Sequence, residues 1–187
     1  LILTQKNTLM QMQYSWLAIR GPSRDKAFAQ LKLERTPEVT DVRQTEFSSA
    51  ELDGDVLLVC SRRFDFADQA PLAELSSGGD VTTCCVNEEF MYSSVSYWKS
   101  GQSQWYFFHD GSFGIQHMHS EGNLPPEFHE IANRLMVAQA EGEGIAITVD
   151  HVFEVAPQVA AALTGFHVDA AMQTDITFRK ATPASDC

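Results

Sequence analysis

The chain has 187 residues, 44% hydrophobic and 20% charged, a balance that fits one folded domain and excludes an intrinsically disordered chain. Its formal net charge of −12 disfavours polyanionic partners, so neither nucleic acid nor an anionic membrane surface is expected as a ligand. No apolar run approaches the roughly 20 residues a transmembrane helix needs. The start, LILTQKNTLMQMQ, shows no small-residue cleavage site, so no secretory signal is expected.

In chain order, YSWLAIRG (14–21) alternates apolar residues on both faces and predicts a strand covered on both sides. Ser23 is placed to cap a helix reaching about Leu33, with Ala27, Phe28 and Leu31 as its apolar stripe. RTPEVTDVRQTEF reads as a loop or edge segment. DVLLVCS (55–61) is a continuous apolar run, hence a central strand, and APLAELSSGG is a short helix closed by glycines.

The middle is rich in strand signals. DVTTCCVN (80–87), FMYSSVSYW (90–98), SQWYFFH (103–109) and GIQHMHS (114–120) are four candidates. Turns at KSGQ (99–102) and DGSF (110–113) separate the later ones, which predicts an antiparallel meander. LPPEFHEIANRLMVAQAEGEG predicts the clearest helix. Pro126 stands in its first turn, Phe128, Ile131, Ala132, Leu135 and Gln139 form one stripe, and Gly142 and Gly144 end it. DHVFEV (150–155) predicts a short strand, PQVAAALTG a helix, and TDITFRK (174–180) a strand closing the sheet at an edge. The expected architecture is α+β: an antiparallel sheet of about five to seven strands with helices packed on it. Residues 1–187 are expected to form a single domain, with a mobile arm to about residue 10 and a loose tail after about 181.

Four cysteines, Cys60, Cys84, Cys85 and Cys187, form no Cys-x-x-Cys pair. Buried free thiols in a reducing compartment are expected, which favours the cytoplasm. The charge is uneven: residues 1–44 carry seven Lys/Arg and four Asp/Glu, whereas residues 45–187 carry six Lys/Arg and twenty-one Asp/Glu. Between Phe64 and Asn133 the only base is Lys99, against ten acids. Such a surface suits a basic protein partner, although the same excess also serves solubility. Candidate contacts are Glu88, Glu89, Asp110, Glu121, Glu127 and Glu130, with Tyr92 and Tyr97 as aromatic anchors.

FFHDGSFGIQHMH (107–119) holds three histidines. On a strand, His117 and His119 would share a face with Ile115 and Glu121, an arrangement that could hold a metal. The acid that a cupin-type metal motif needs three or four residues further on is absent, since Asn123 and Leu124 stand there. Histidines half-buried on a sheet face are therefore the expectation, and no metal or other cofactor is assigned. His109 shares a face with Trp105 and Phe107, which predicts partial burial. The chain has no Gly-x-Ser-x-Gly elbow, no dinucleotide or phosphate-binding glycine motif and no His-Glu-x-x-His, so no catalytic residues are assigned.

The segments VNEEFMYSSVSYWKSGQSQWYFFHDG, LPPEFHEI and DHVFEVAPQVAAALTGFHVD share a pattern: Glu-Glu before a Met-bearing strand, Trp-x-x-Gly, His-Asp-Gly, then a Phe-x-Val-x-Pro corner. In this the chain resembles a family of small, acidic, largely uncharacterised bacterial proteins over roughly residues 84–169. That family is associated with immunity proteins encoded beside secreted toxins. The resemblance implies a cytoplasmic binding protein that masks a toxin domain, and no catalytic residues. The alternative is a metal-dependent enzyme or small-ligand binder using His117 and His119.

Overall fold

The computed structural model describes residues 12–142, 149–168 and 176–184. A nine-stranded sheet, antiparallel at every pairing, organises them in the order β2-β9-β3-β4-β1-β5-β6-β7-β8. The strands are β1 (Gln13–Arg20), β2 (Leu33–Thr40), β3 (Phe47–Leu52), β4 (Val56–Ser61), β5 (Asp80–Asn87), β6 (Tyr92–Lys99), β7 (Gln102–Asp110), β8 (His119–Gly122) and β9 (Phe178–Pro183). The helices are α1 (Arg24–Leu31), α2 (Phe66–Gln69), α3 (Leu72–Leu75), α4 (Pro126–Gly142) and α5 (Val155–Thr164). The fold is α+β as expected, with more strands than the five to seven anticipated.

Strand β1 is the keel. Successive side chains on a strand point to opposite faces, so Trp16 and Ala18 enter one core while Leu17 and Ile19 enter the other. The first core lies under α4 and α5, and we call this the inner face. The second, smaller core lies under α1, α2 and α3 on the outer face. Helix α1 begins as the sequence predicts: the Ser23 hydroxyl accepts from the Lys26 amide at 3.4 Å, and Ala27, Phe28 and Leu31 are buried. Helix α4 buries Phe128, Ala132, Leu135 and Gln139, the predicted stripe apart from the half-buried Ile131. Ser100 and Gly101 both take positive φ (52° and 79°) between β6 and β7, the two-residue turn whose twist matches a hairpin.

Four expectations are corrected. Residues 150–155 are not a strand. A 3-10 turn spans Val152–Glu154 and leads straight into α5, because the Asp150 carboxylate accepts from the Phe153 amide at 3.1 Å and starts a helical turn. The apolar run VFEV is buried in either conformation, so its hydrophobicity could not settle its period. Of the strand expected over 114–120 only His119 and Ser120 belong to one, β8, since Asp110 accepts from the Ser112 amide at 2.9 Å and opens a 3-10 turn over Gly111–Phe113. The terminal strand β9 lies one place inside the edge, between β2 and β3. Strand β2 takes the outermost position, as suits a segment with Pro37 and a register shift between Arg35 and Val39, because proline has no N–H to donate to a ladder. Thr182 and Pro183 belong to β9 rather than to a loose tail. The N-terminal arm to residue 10, Gly144 and Cys187 lie outside the described residues.

Cys60, Cys84 and Cys85 are free and buried, and burial pushes each thiol well above the ordinary value. No described helix is long and apolar enough to cross a membrane.

Candidate interaction surface

Outer-face helices cover the sheet only as far as β5 and the adjoining part of β6. Beyond them, alternation along β6, β7 and β8 sends Tyr92, Ser94, Ser96, Tyr106, Phe108, His119 and Glu121 to this face, as the pairings Ser94↔Phe108, Ser96↔Tyr106, Phe108↔His119 and Tyr106↔Glu121 record. The rings form a continuous layer. Phe64 meets Tyr92 at 6.3 Å between centroids, Tyr92 meets Phe108 at 6.1 Å, and Phe108 meets Tyr106 at 5.7 Å, His117 at 5.2 Å and His119 at 5.0 Å. The Tyr92 and Tyr106 hydroxyls are hydrogen-bonded to each other at 3.0 Å.

Two connections meet at one end of this layer. The first, Glu88–Met91, follows β5. The Asn87 side-chain oxygen accepts from the Glu89 and Phe90 amides at 3.0 and 3.3 Å, folding the turn, and Met91 takes a positive φ of 48°. The second runs from Gly111 to Met118. The Gly111 amide donates to the Met91 carbonyl at 2.9 Å, and a side chain at Gly111 would place its Cβ 2.7 Å from the Met91 Cβ, so this close approach requires glycine. Phe90 and Phe113 project into solvent from these turns, 62% and 73% exposed, and Ile115 and Met118 are exposed beside Phe113 in the same loop. Exposed apolar side chains grouped in this way mark contact sites.

The exposed loop is held from beneath by a buried histidine. His109, fully buried on the inner face of β7, donates from Nδ1 to the His117 carbonyl at 2.8 Å. A carbonyl only accepts, so Nδ1 carries hydrogen. The opposite nitrogen, Nε2, lies 3.0 Å from the Asp150 carboxylate. One proton therefore sits between imidazole and carboxylate, which gives a buried ion pair. Burial alone lowers the pKa of His109; the bond to Asp150, the His117 carbonyl and the charges of Asp150 and Asp110 outweigh it, and the net shift is upward. The His117 ring faces the other way: its Nδ1 accepts from the Asp110 amide at 3.0 Å, and the ring packs on Phe108 and Phe113. The Asp110 carboxylate accepts from both the amide and hydroxyl of Ser112, at 2.9 and 2.6 Å, and these bonds hold its pKa below the usual range.

The brace extends into the helical layer. Gln139 of α4 is buried and accepts from the His151 amide at 2.8 Å, while the Ser93 hydroxyl of β6 donates to the Phe153 carbonyl at 2.7 Å. Asp150 is thus fixed by its own turn, by α4 and by the sheet.

Of the residues singled out by sequence, Tyr92, Asp110 and Glu121 lie on the open layer or at its end, and Glu88 and Glu89 stand in the turn beside it. Glu88 is half-buried and its carboxylate accepts from the Met12 amide at 2.9 Å, so it is a structural acid as well as a surface one. Tyr97 is on the inner face, stacked on Trp105 at 6.1 Å, and Glu127 and Glu130 are exposed on α4, across the sheet. The structure therefore gathers five of the eight and separates three. His117 and His119 flank one ring, Phe108, rather than sharing a strand face, and His119 lies 3.3 Å from Glu121. Among the described residues no group of three or more His, Cys, Asp or Glu side chains is placed to hold a metal ion.

Sequence reasoning missed Phe90 and Phe113 as exposed anchors and the His109–Asp150 pair. The exposure of Phe113 was signalled by its place between two glycines in a turn; the pairing across 41 residues had no local signal. No family model matches the chain, and no curated protein or solved structure shows significant similarity to it.

Proposed function

We propose that the protein is a protein-binding module that receives a basic partner at the end of strands β5–β8, where Phe90 and Phe113 stand exposed among acidic side chains. One observation carries this reading: two large aromatic side chains face solvent on turns that are hydrogen-bonded to each other and braced by a buried ion pair. Fixed aromatic anchors lose little conformational freedom on binding, and such residues dominate the energetics of protein interfaces. Glu88, Glu89 and Asp110 stand in or beside these turns and Glu121 further along the same face, opposite Tyr106, while Lys99, the only base between residues 64 and 133, lies at the far end of β6. Seven residue steps along the strand separate Lys99 from Tyr92, about 23 Å. A basic partner would be steered toward this end of the sheet and a basic competitor surface on the protein itself is remote.

A toxin-neutralising role, which the resemblance to immunity proteins implies, is one form of this function. The free, buried thiols are compatible with a reducing compartment, and we place the protein in the cytoplasm on that ground. The experiment is affinity capture from the source organism with the unaltered chain and with Phe90→Ser, Phe113→Ser. A basic protein retained by the first and lost by the second supports the reading. Equal retention by both moves the interface elsewhere.

A further inference from the structure

The open layer carries, beside the exposed turns, a feature that the aromatic anchors do not explain. Helix α2 places Asp68 over the outer face of β5 and β6, where its charge bears on Cys85, Tyr92 and Tyr106. The carboxylate faces the Cys85 thiol and the Ser94 hydroxyl; packing against the sheet raises its pKa more than these two groups lower it. Among the described residues no Lys or Arg is ion-paired with Asp68, and Arg63, from the same connection, is taken up by Asp65 at 3.4 Å. Ser94 is fully buried on this face, and the Asp68 carboxylate, Cys85 thiol and Tyr92 phenol stand near its hydroxyl without closing a well-formed hydrogen bond to it. Around them the half-buried rings of Phe64, Tyr92, Phe108 and Tyr106 follow one another in a chain, with 6.3, 6.1 and 5.7 Å between successive centroids. Burial pushes up the pKa of both phenols, and the hydrogen bond between them raises that of Tyr106 further while lowering that of Tyr92 by less than burial raises it, so both stay protonated with oxygen lone pairs available.

We propose that Asp68, Tyr92, Tyr106 and Phe108 form a receptor for an arginine side chain of the partner. This rests on the protein-binding reading and specifies the partner's chemistry. The geometry answers each part of a guanidinium. Its flat face stacks on aromatic rings, its in-plane donors meet a carboxylate and phenolic oxygens, and its weak hydration lets it leave water at modest cost. An ammonium group presents no flat face and is more strongly hydrated, so lysine fits less well. Charge complementarity sets the occupant: an unpaired carboxylate beside electron-rich ring faces favours a cation and disfavours an acidic or purely apolar group.

The test uses the full chain and two acetylated peptides, hexa-arginine and hexa-lysine, titrated calorimetrically at low salt. The arginine peptide should bind about fivefold or more tightly than the lysine peptide. Asp68→Asn should weaken the arginine peptide by about fivefold or more, and Tyr106→Ala similarly, while Asp53→Asn in the β3–β4 turn should change it less than about twofold. N-acetylarginine amide should shift the ring-proton resonances of Tyr92, Tyr106 and Phe108. Asp68→Asn is nearly isosteric and removes a carboxylate whose ionised form burial disfavours, so its unfolding midpoint should be no lower than that of the unaltered chain. Equal losses from Asp68→Asn and Asp53→Asn would mean that net charge alone attracts the peptide, and would overturn the receptor. Self-association that Asp68→Asn abolishes would mean a second copy occupies the face, and would overturn it as well. Neither result bears on Phe90 and Phe113, whose role is decided by partner capture.

Discussion

The centre of the sheet and its β7–β8 end differ in how they are covered. At the centre, β1 and β4 are buried on both faces, with Leu17, Ala18, Leu58 and Val59 all at 0% exposure. At β7 the inner face is equally closed, with Phe107 and His109 at 0%, whereas its outer residues Tyr106 and Phe108 are half-buried and the neighbouring His119 and Glu121 are exposed. The closed region is apolar and self-sufficient. The half-open region is built from aromatic and ionisable groups, and it carries a buried histidine–carboxylate pair. An ordinary half-covered antiparallel sheet presents small polar side chains to water. Here the outward residues are large rings, and the loop above them is tied down by a buried charge. The difference separates residues that hold the fold from residues that the fold holds out.

Substitutions can break this contrast. The largest effect is expected at the brace: His109→Ala leaves Asp150 without its partner, and removing one member of a buried ion pair costs about 3–5 kcal/mol. Leu17→Ala in the closed core should cost a comparable amount, about 2–5 kcal/mol. Urea unfolding measures both. A loss below about 1 kcal/mol for His109→Ala would show that the loop is not held through this residue.

The same pair gives a pH dependence. The folded pKa of His109 is raised, so its contribution is fully present below the unfolded imidazole value, about 6.5, and is lost as pH rises through the folded value. Stability should decline as pH is raised above neutrality, and His109→Gln should flatten that decline. An unchanged pH profile in the variant would assign the slope to other groups.

Smaller effects distinguish the two adjacent acids. Glu88→Gln weakens a charge-assisted bond to the Met12 amide and should cost about 0.5–1.5 kcal/mol. Glu89→Gln, at an exposed position, should fall within about 0.5 kcal/mol. The smallest change in stability is expected from Phe113→Ser, again within about 0.5 kcal/mol, because the ring is 73% exposed. Thermal unfolding of the three variants orders them.

Local signals in the sequence carried most of the fold. Asp80–Asn87 forms β5 over the predicted residues, and the α4 stripe is buried nearly as predicted, since period and turn chemistry act within a few residues. Strand β3, FSSAEL, escaped notice because Ser48 and Ser49 are buried polar residues that carry no hydrophobic period. Residues 150–155 were misread because a run apolar in every register looks the same as strand or helix. At the surface, Tyr92, Asp110 and Glu121 could be gathered from composition and turns, but Tyr97 points the other way, as the count of residues along β6 decides. The bond from His109 to Asp150 joins segments 41 residues apart, and nothing short of the folded chain brings them together.

The central claim is that the protein binds a basic partner through the braced, half-open end of the sheet. Its most direct test is the affinity of the captured partner for two double variants, measured side by side by calorimetry. Phe90→Ser, Phe113→Ser should weaken binding by roughly 100-fold or more, since buried aromatic anchors are worth about 2 kcal/mol or more each, whereas Glu127→Gln, Glu130→Gln on α4 should weaken it less than about threefold. The reverse order, with α4 carrying the loss and the two phenylalanines silent, would contradict the account.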